Sequence, residues 1–211
     1  QGENNLDGTG SWVECAIPGI TKTLTNMPLV IQRTALANQG TSSEIATFTV
    51  KQFTYADRRV GDTITNPMPT FVGKRINKVL FFRNRLAILA GENVILSRPG
   101  SLGEPDFFIE SALTVSASDP IDISAASMFP SEIFDGIEIN AGLLVFSTNQ
   151  QFLLSTDDTV LNPDTAKLRS VSTYNYNKDV PPLSLGTTIA YVDNSGKYSR
   201  VNEMANTSRE G

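Results

Sequence analysis

The sequence predicts an all-β fold of antiparallel meanders, part of a β-propeller with an additional small β region on its N-terminal side. Three observations carry this. Windows with apolar residues at i, i+3, i+4 and i+7 are nearly absent, which argues against amphipathic helices. Short apolar or alternating runs bounded by turn residues occupy most of the chain. A strand–turn–strand unit also recurs along the second half.

Residues 1–58 read as an upstream β module with strands at Trp12–Ile17, Met27–Thr34 and Ile45–Phe53. In the last, Ile45, Thr47, Thr49 and Lys51 alternate with Ala46, Phe48, Val50 and Gln52, the period of a strand with two unlike faces. Pro18-Gly19 and the polar run from Asn38 to Ser43 separate these strands. Residues 59–76 read as a linker, because Asn66-Pro67 and Pro69 impose an extended, turn-initiating path.

Residues 77–205 read as blades. The first unit is Val79–Phe82, the turn Arg83-Asn84-Arg85, Leu86–Ala90, the turn Gly91-Glu92-Asn93, and Val94–Ser97. The second is Gly136–Ile139, Asn140-Ala141-Gly142, Leu143–Ser147 and, after Thr148-Asn149-Gln150, Gln151–Ser155. A weaker third pairs Thr188–Val192 with Lys197–Val201 across Asp193-Asn194-Ser195-Gly196. Leu86, Leu143 and Thr188 open equivalent strands at intervals of 57 and 45 residues. A meander at this spacing fits propeller blades, since one blade cannot cover both of its own faces and must stack on neighbours, with an ordinary antiparallel sandwich as the alternative. Leu86, Ile88, Leu143, Val145, Phe146 and Ile189 are expected in the core. Residues 206–211 read as a tail, and the absence of an initial Met suggests a piece of a longer chain.

Composition narrows the function. The 211 residues contain no histidine, which removes Ser-His-Asp and Cys-His machinery and imidazole metal ligands. Cys15, the single cysteine, can form no intrachain disulfide and is expected as a buried thiol in an apolar stretch. A net charge of -5 disfavours autonomous binding to phosphates and to anionic membranes. No apolar run approaches the length of a membrane-spanning helix, so no membrane insertion is expected.

Remaining motifs are sparse. Gly8-Thr9-Gly10 lacks the third glycine and the strand–helix context of a dinucleotide fingerprint, and Val72-Gly73-Lys74-Arg75 lacks the phosphate-loop spacing. The acid pairs Asp119/Asp122, Asp157/Asp158 and Glu104/Asp106 could serve a polysaccharide hydrolase, but all sit among turn residues where carboxylates cap backbone. No twelve-residue calcium loop occurs, so neither metal nor cofactor is expected. Exposed aromatics would mark a carbohydrate- or receptor-binding module. The candidates are Trp12, Tyr174, Tyr176, Tyr191 and Tyr198, of which Tyr191 and Tyr198 fall in repeat strands and read as core. Lys74, Arg75, Arg83 and Arg85 form the one candidate interface, since arginine forks suit protein contacts.

The linker Gly61 to Lys74 (GDTITNPMPTFVGK) and the hairpin Phe81 to Gly100 (FFRNRLAILAGENVILSRPG) carry a resemblance. So do SDPIDIS from Ser118 to Ser124, Gly10–Glu14, and Met27–Ile31. Together they resemble the tail tubular protein B family, the tail nozzles of short-tailed, podovirus-type phages. The match is tightest from Gly61 to Ser97 and loose after Thr156. The resemblance implies a non-enzymatic virion tail protein with a β-propeller in each subunit, assembled in six-fold rings. It further implies a channel for genome ejection, with the portal adaptor, tail fibre proteins and transient genomic DNA as partners.

Overall fold

The computed structural model describes residues 11–25, 27–100, 103–127, 130–157 and 160–205. Thirteen strands and no helix lie among them. The Gly8–Gly10 motif, Asp158 and the 206–211 tail fall outside the described residues.

Two four-stranded antiparallel meanders form the centre. The first consists of β3 (Ile76–Phe82), β4 (Arg85–Ala90), β5 (Asn93–Leu96) and β6 (Ile121–Ser124), hydrogen-bonded in that order. The second consists of β7 (Ile133–Ile139), β8 (Gly142–Ser147), β9 (Gln151–Thr156) and β10 (Ala166–Ser172), again in chain order. A third sheet orders β11 (Leu183–Ser184), β12 (Thr188–Ser195) and β13 (Tyr198–Ala205). A separate hairpin pairs β1 (Leu29–Ala37) with β2 (Ile45–Gln52).

Burial follows from the apolar runs. Every residue of β4 and of β8 is buried, because both faces of each strand are covered. The sheets therefore stack in series. Ala87, Leu89, Val94 and Leu96 of the first sheet meet Leu143, Val145, Phe152 and Leu154 of the second. The opposite face of the first sheet, Leu86, Ile88, Ala90 and Ile95, is covered by Leu24, Met27, Phe71, Phe107 and Phe108. The opposite face of the second, Leu144 and Phe146, meets Tyr176, Ile189 and Tyr191 at the third sheet. All six expected core residues are buried. In the third sheet Ile189, not Thr188, faces back toward the preceding layer as Leu86 and Leu143 do. The repeat is thus shifted by one residue there.

Two glycines sit where an added side chain would be crowded, one between the sheets and one within the second. A Cβ on Gly136 would sit 3.3 Å from both Leu80 and Val145 and 3.4 Å from Leu89, so those side chains would have to give by a few tenths of an ångström to admit one. Gly142 has φ 147°, and a Cβ there would lie 2.1 Å from the Leu154 carbonyl oxygen. The first strands of the two meanders are also joined by side chains. Asn77 Nδ2 donates to the Ile133 carbonyl at 2.8 Å and to Glu132 at 2.9 Å, and Lys78 pairs with Asp135 at 2.9 Å.

Of the expected N-terminal strands, Met27–Thr34 and Ile45–Phe53 correspond to β1 and β2, whereas Trp12–Ile17 needs correction. Trp12–Ile17 forms no strand beyond one parallel bridge from Ala16 to Gly61, and Cys15 is exposed. This segment meets the fold at Gly61 and through Glu14, which accepts from the Ser111 hydroxyl and the Ala112 amide, and only Ala16 is buried, so its apolar composition does not imply a covered strand. The stretch 59–76 packs closely: Val60, Asn66 and Phe71 are buried, and Asn66 Nδ2 donates to the Val60 carbonyl at 2.9 Å.

Candidate interaction surface

Lys74, Arg75 and Arg83 are exposed and occupy opposite ends of β3. Lys74 ends a tight turn in which its amide donates to the Phe71 carbonyl at 2.9 Å. Arg83 and Asn84 form the two-residue β3–β4 loop, with φ 46° and 61°. Two left-handed residues match the right-handed strand twist of a tight hairpin, which explains how so short a loop connects long apolar strands. The Arg83 guanidinium lies 5.6 Å from the Phe82 ring centroid.

Between these cations, β3 exposes Val79 and Phe81 on the face turned away from the second sheet, at 41% and 61%. An edge strand with an uncovered aromatic, flanked by arginines, has the composition of a protein contact. The sequence signal was present in the run Val79–Phe82, but a continuous apolar run does not say which face lacks a neighbour.

Arg85 does not belong to this surface. It is 2% exposed, and its guanidinium donates to the carbonyls of Ser97 at 2.9 Å, Asp119 at 2.7 Å, Ala117 at 3.0 Å and Leu161 at 3.2 Å. Because the loop takes two residues instead of three, Arg85 is the first residue of β4 and turns inward. Burial lowers its pKa, the Asp119 charge opposes that, and Arg98 adds to it. A guanidinium nevertheless stays charged, so its charge is spread over four carbonyls. It ties the first sheet and its 117–119 loop to the second.

Asp106, Asp119, Asp122 and Asp157 are engaged locally, whereas Glu104 is exposed. Asp119 is buried and accepts from the Ser116 amide at 2.7 Å and the Glu110 amide at 3.3 Å. Asp122 accepts from the Thr70 amide and hydroxyl, both at 2.8 Å, fastening residue 70 to β6. Asp106 accepts from the Phe108 amide at 2.9 Å and faces Arg98 at 3.5 Å. Burial raises its pKa, against that amide and Arg98. Asp157 pairs with Lys167 and Arg169. None of these acids lines the open cleft of about 1210 Å³ between the second and third sheets. Among the described residues no cluster of metal-ligating side chains occurs.

The aromatics do not assemble into a platform. Tyr176 and Tyr191 are buried against Phe146 at ring distances of 4.9 and 5.3 Å. Tyr198, expected in the core, is 78% exposed, because its side of β13 near the turn extends past the covering layer. Trp12 and Tyr174 are exposed on other segments.

Comparison with known proteins adds two findings. Residues 4–210 match the model of the bacteriophage nozzle protein family. A stretch of 154 residues, 73% of this chain, is 30% identical to the tail tubular protein gp12 of Escherichia phage T7 and spans 19% of that protein's length.

Proposed function

Because this chain belongs to the bacteriophage nozzle protein family, a family of structural components of the virion tail, we propose that its sheets are successive blades of a β-propeller in the wall of a tail conduit. One observation supports this most strongly. Two meanders of identical strand order stack face to face, and a third sheet repeats the same direction of facing. Radial stacking of such units is how a propeller covers both faces of each blade. On this reading residues 1–58 are an upstream module, 59–76 the boundary and 77–205 the blades. Copies close into a ring, six-fold in the whole protein, which the genome crosses on ejection. The portal adaptor and tail fibres then dock on its outer faces. The role is mechanical, not enzymatic.

The acidic balance suits such a conduit. Each phosphate held by a lysine or arginine would have to be released again for DNA to pass, so a weakly repulsive wall favours transit. The exposed strand β3, with Val79, Phe81, Lys74, Arg75 and Arg83, is where we place a contact with another tail component. In virions carrying Phe81→Glu, tails should be lost from otherwise filled heads by electron microscopy. A glutamate at the exposed Thr187 should leave them intact. Full tail occupancy with Phe81→Glu would remove β3 from the assembly.

A further inference from the structure

The β1–β2 hairpin is built as an arm and left bare. All eight residues of β2 and seven of the nine in β1 are exposed. An isolated two-stranded sheet is marginal in water, so a hairpin of this length normally rests on something. Its two faces differ. Register places Leu29, Ile31 and Arg33 beside Phe48 and Val50 on one face, and Val30, Gln32, Thr49 and Lys51 on the other. Leu29, Ile31, Phe48 and Val50 are 59–69% exposed.

The arm is also stiffened from within. At its tip the Gly40 amide donates to Glu44 at 2.9 Å, the Asn38 side chain to the Ser43 carbonyl at 3.2 Å, and the Thr41 hydroxyl to the Asn38 carbonyl at 2.8 Å. At its base Met27 is buried in the core, and Phe53 meets Tyr55 edge-on at 5.5 Å. A preorganised arm about 30 Å long loses little entropy on docking.

Charge indicates the occupant. Arg33 and Lys51 against Glu44 give residues 29–52 one net positive charge, so the remainder of a chain of net -5 carries -6. The body of a second copy is therefore an attractive partner for the arm, whereas the arm of a second copy is repelled by like charge. We propose that the apolar face of the β1–β2 hairpin docks on the body of a neighbouring copy of this chain, a head-to-tail contact of the kind that generates rings. This rests on the assembly of copies proposed above and specifies which element reaches across.

The test is photo-crosslinking on the full chain, mixing isotopically light and heavy protein. Benzoylphenylalanine in place of Phe48 should give mixed-isotope adducts. The same group at Thr49, on the opposite face, should give about tenfold fewer. Adding Ile31→Ser and Val50→Ser should lower the adducts at position 48 about tenfold, equivalent to about 1.4 kcal/mol of association, with an unchanged thermal melt of the sheets. Adducts only within one chain, or equal yields at 48 and 49, overturn the proposal. Crosslinkers at Lys74, Arg83 and Tyr198 separate the two ideas. Mixed adducts from those sites without any from position 48 leave assembly standing and refute the arm. None from any site refutes assembly itself.

Discussion

Arg83 and Arg85 stand two residues apart, with opposite fates. Arg83 sits in a left-handed loop at the surface, while Arg85 is enclosed by four carbonyl oxygens from two sheets. Removing a buried charged donor leaves each of those acceptors unpaired, at about 1–3 kcal/mol per unsatisfied group. Arg85→Ala should therefore lower stability by at least about 3 kcal/mol, while Arg83→Ala should stay within about 0.5 kcal/mol in denaturant titration. Equal effects would mean that Arg85 reaches solvent. Nothing in the sequence separates the two beyond Arg85 directly preceding an apolar run. Asp62 offers a second test. Its carboxylate accepts from the Ile64 and Thr65 amides, both at 2.8 Å, and the Thr65 hydroxyl at 3.0 Å, which hold its pKa below the ordinary value. A depressed folded pKa contributes stability above the unfolded value of about 4, and that contribution disappears as pH falls through the folded value. Asp62→Ala should therefore melt below the wild type at neutral pH and converge with it in acid. A constant gap across the titration would assign the loss to packing.

At the scale of elements, the apolar runs proved the most legible feature. Leu86–Ala90 and Leu143–Ser147 lie in strands buried on both faces, because continuous hydrophobicity in a short strand is sustained only by cover on both sides. Strand β10 (Ala166–Ser172) carries no such signal, since a partly exposed outer strand with Lys167, Arg169 and Ser170-Val171-Ser172 offers no apolar run. The alternation of Ile45–Gln52 signalled a strand correctly, but alternation reports two unlike faces and not whether either is covered. Trp12–Ile17 differs, since its apolar composition produces no strand beyond the single Ala16–Gly61 bridge. The first residue of β8 supplies the element-scale prediction. Gly142→Ala forces a Cβ toward the Leu154 carbonyl at a φ that L-residues rarely adopt, so it should cost more than about 1 kcal/mol in thermal unfolding. The same substitution at Gly186, where nothing lies within 4 Å, meets only the backbone strain of φ 96°. An equal loss at both positions would show that the Leu154 contact is immaterial.

For the whole molecule, the proposed reading makes this chain a wall segment of a tail conduit, supported by serially stacked sheets and an acidic balance. Wall segments of a DNA conduit gain nothing from affinity for DNA. With a net charge of -5, the isolated chain should not bind duplex DNA at ~0.15 M salt. Submicromolar retardation in a gel shift would instead direct attention to Lys74, Arg75, Lys78 and Arg83 as a phosphate-binding face. The most direct measurement is a cryo-electron microscopy reconstruction of the tail that carries this chain, resolved well enough to trace β3–β13. The account predicts that the three sheets occupy consecutive positions around a propeller axis in each of several copies ringing the channel. Sheets stacked along a line with no common axis, or a single copy per tail, would contradict it.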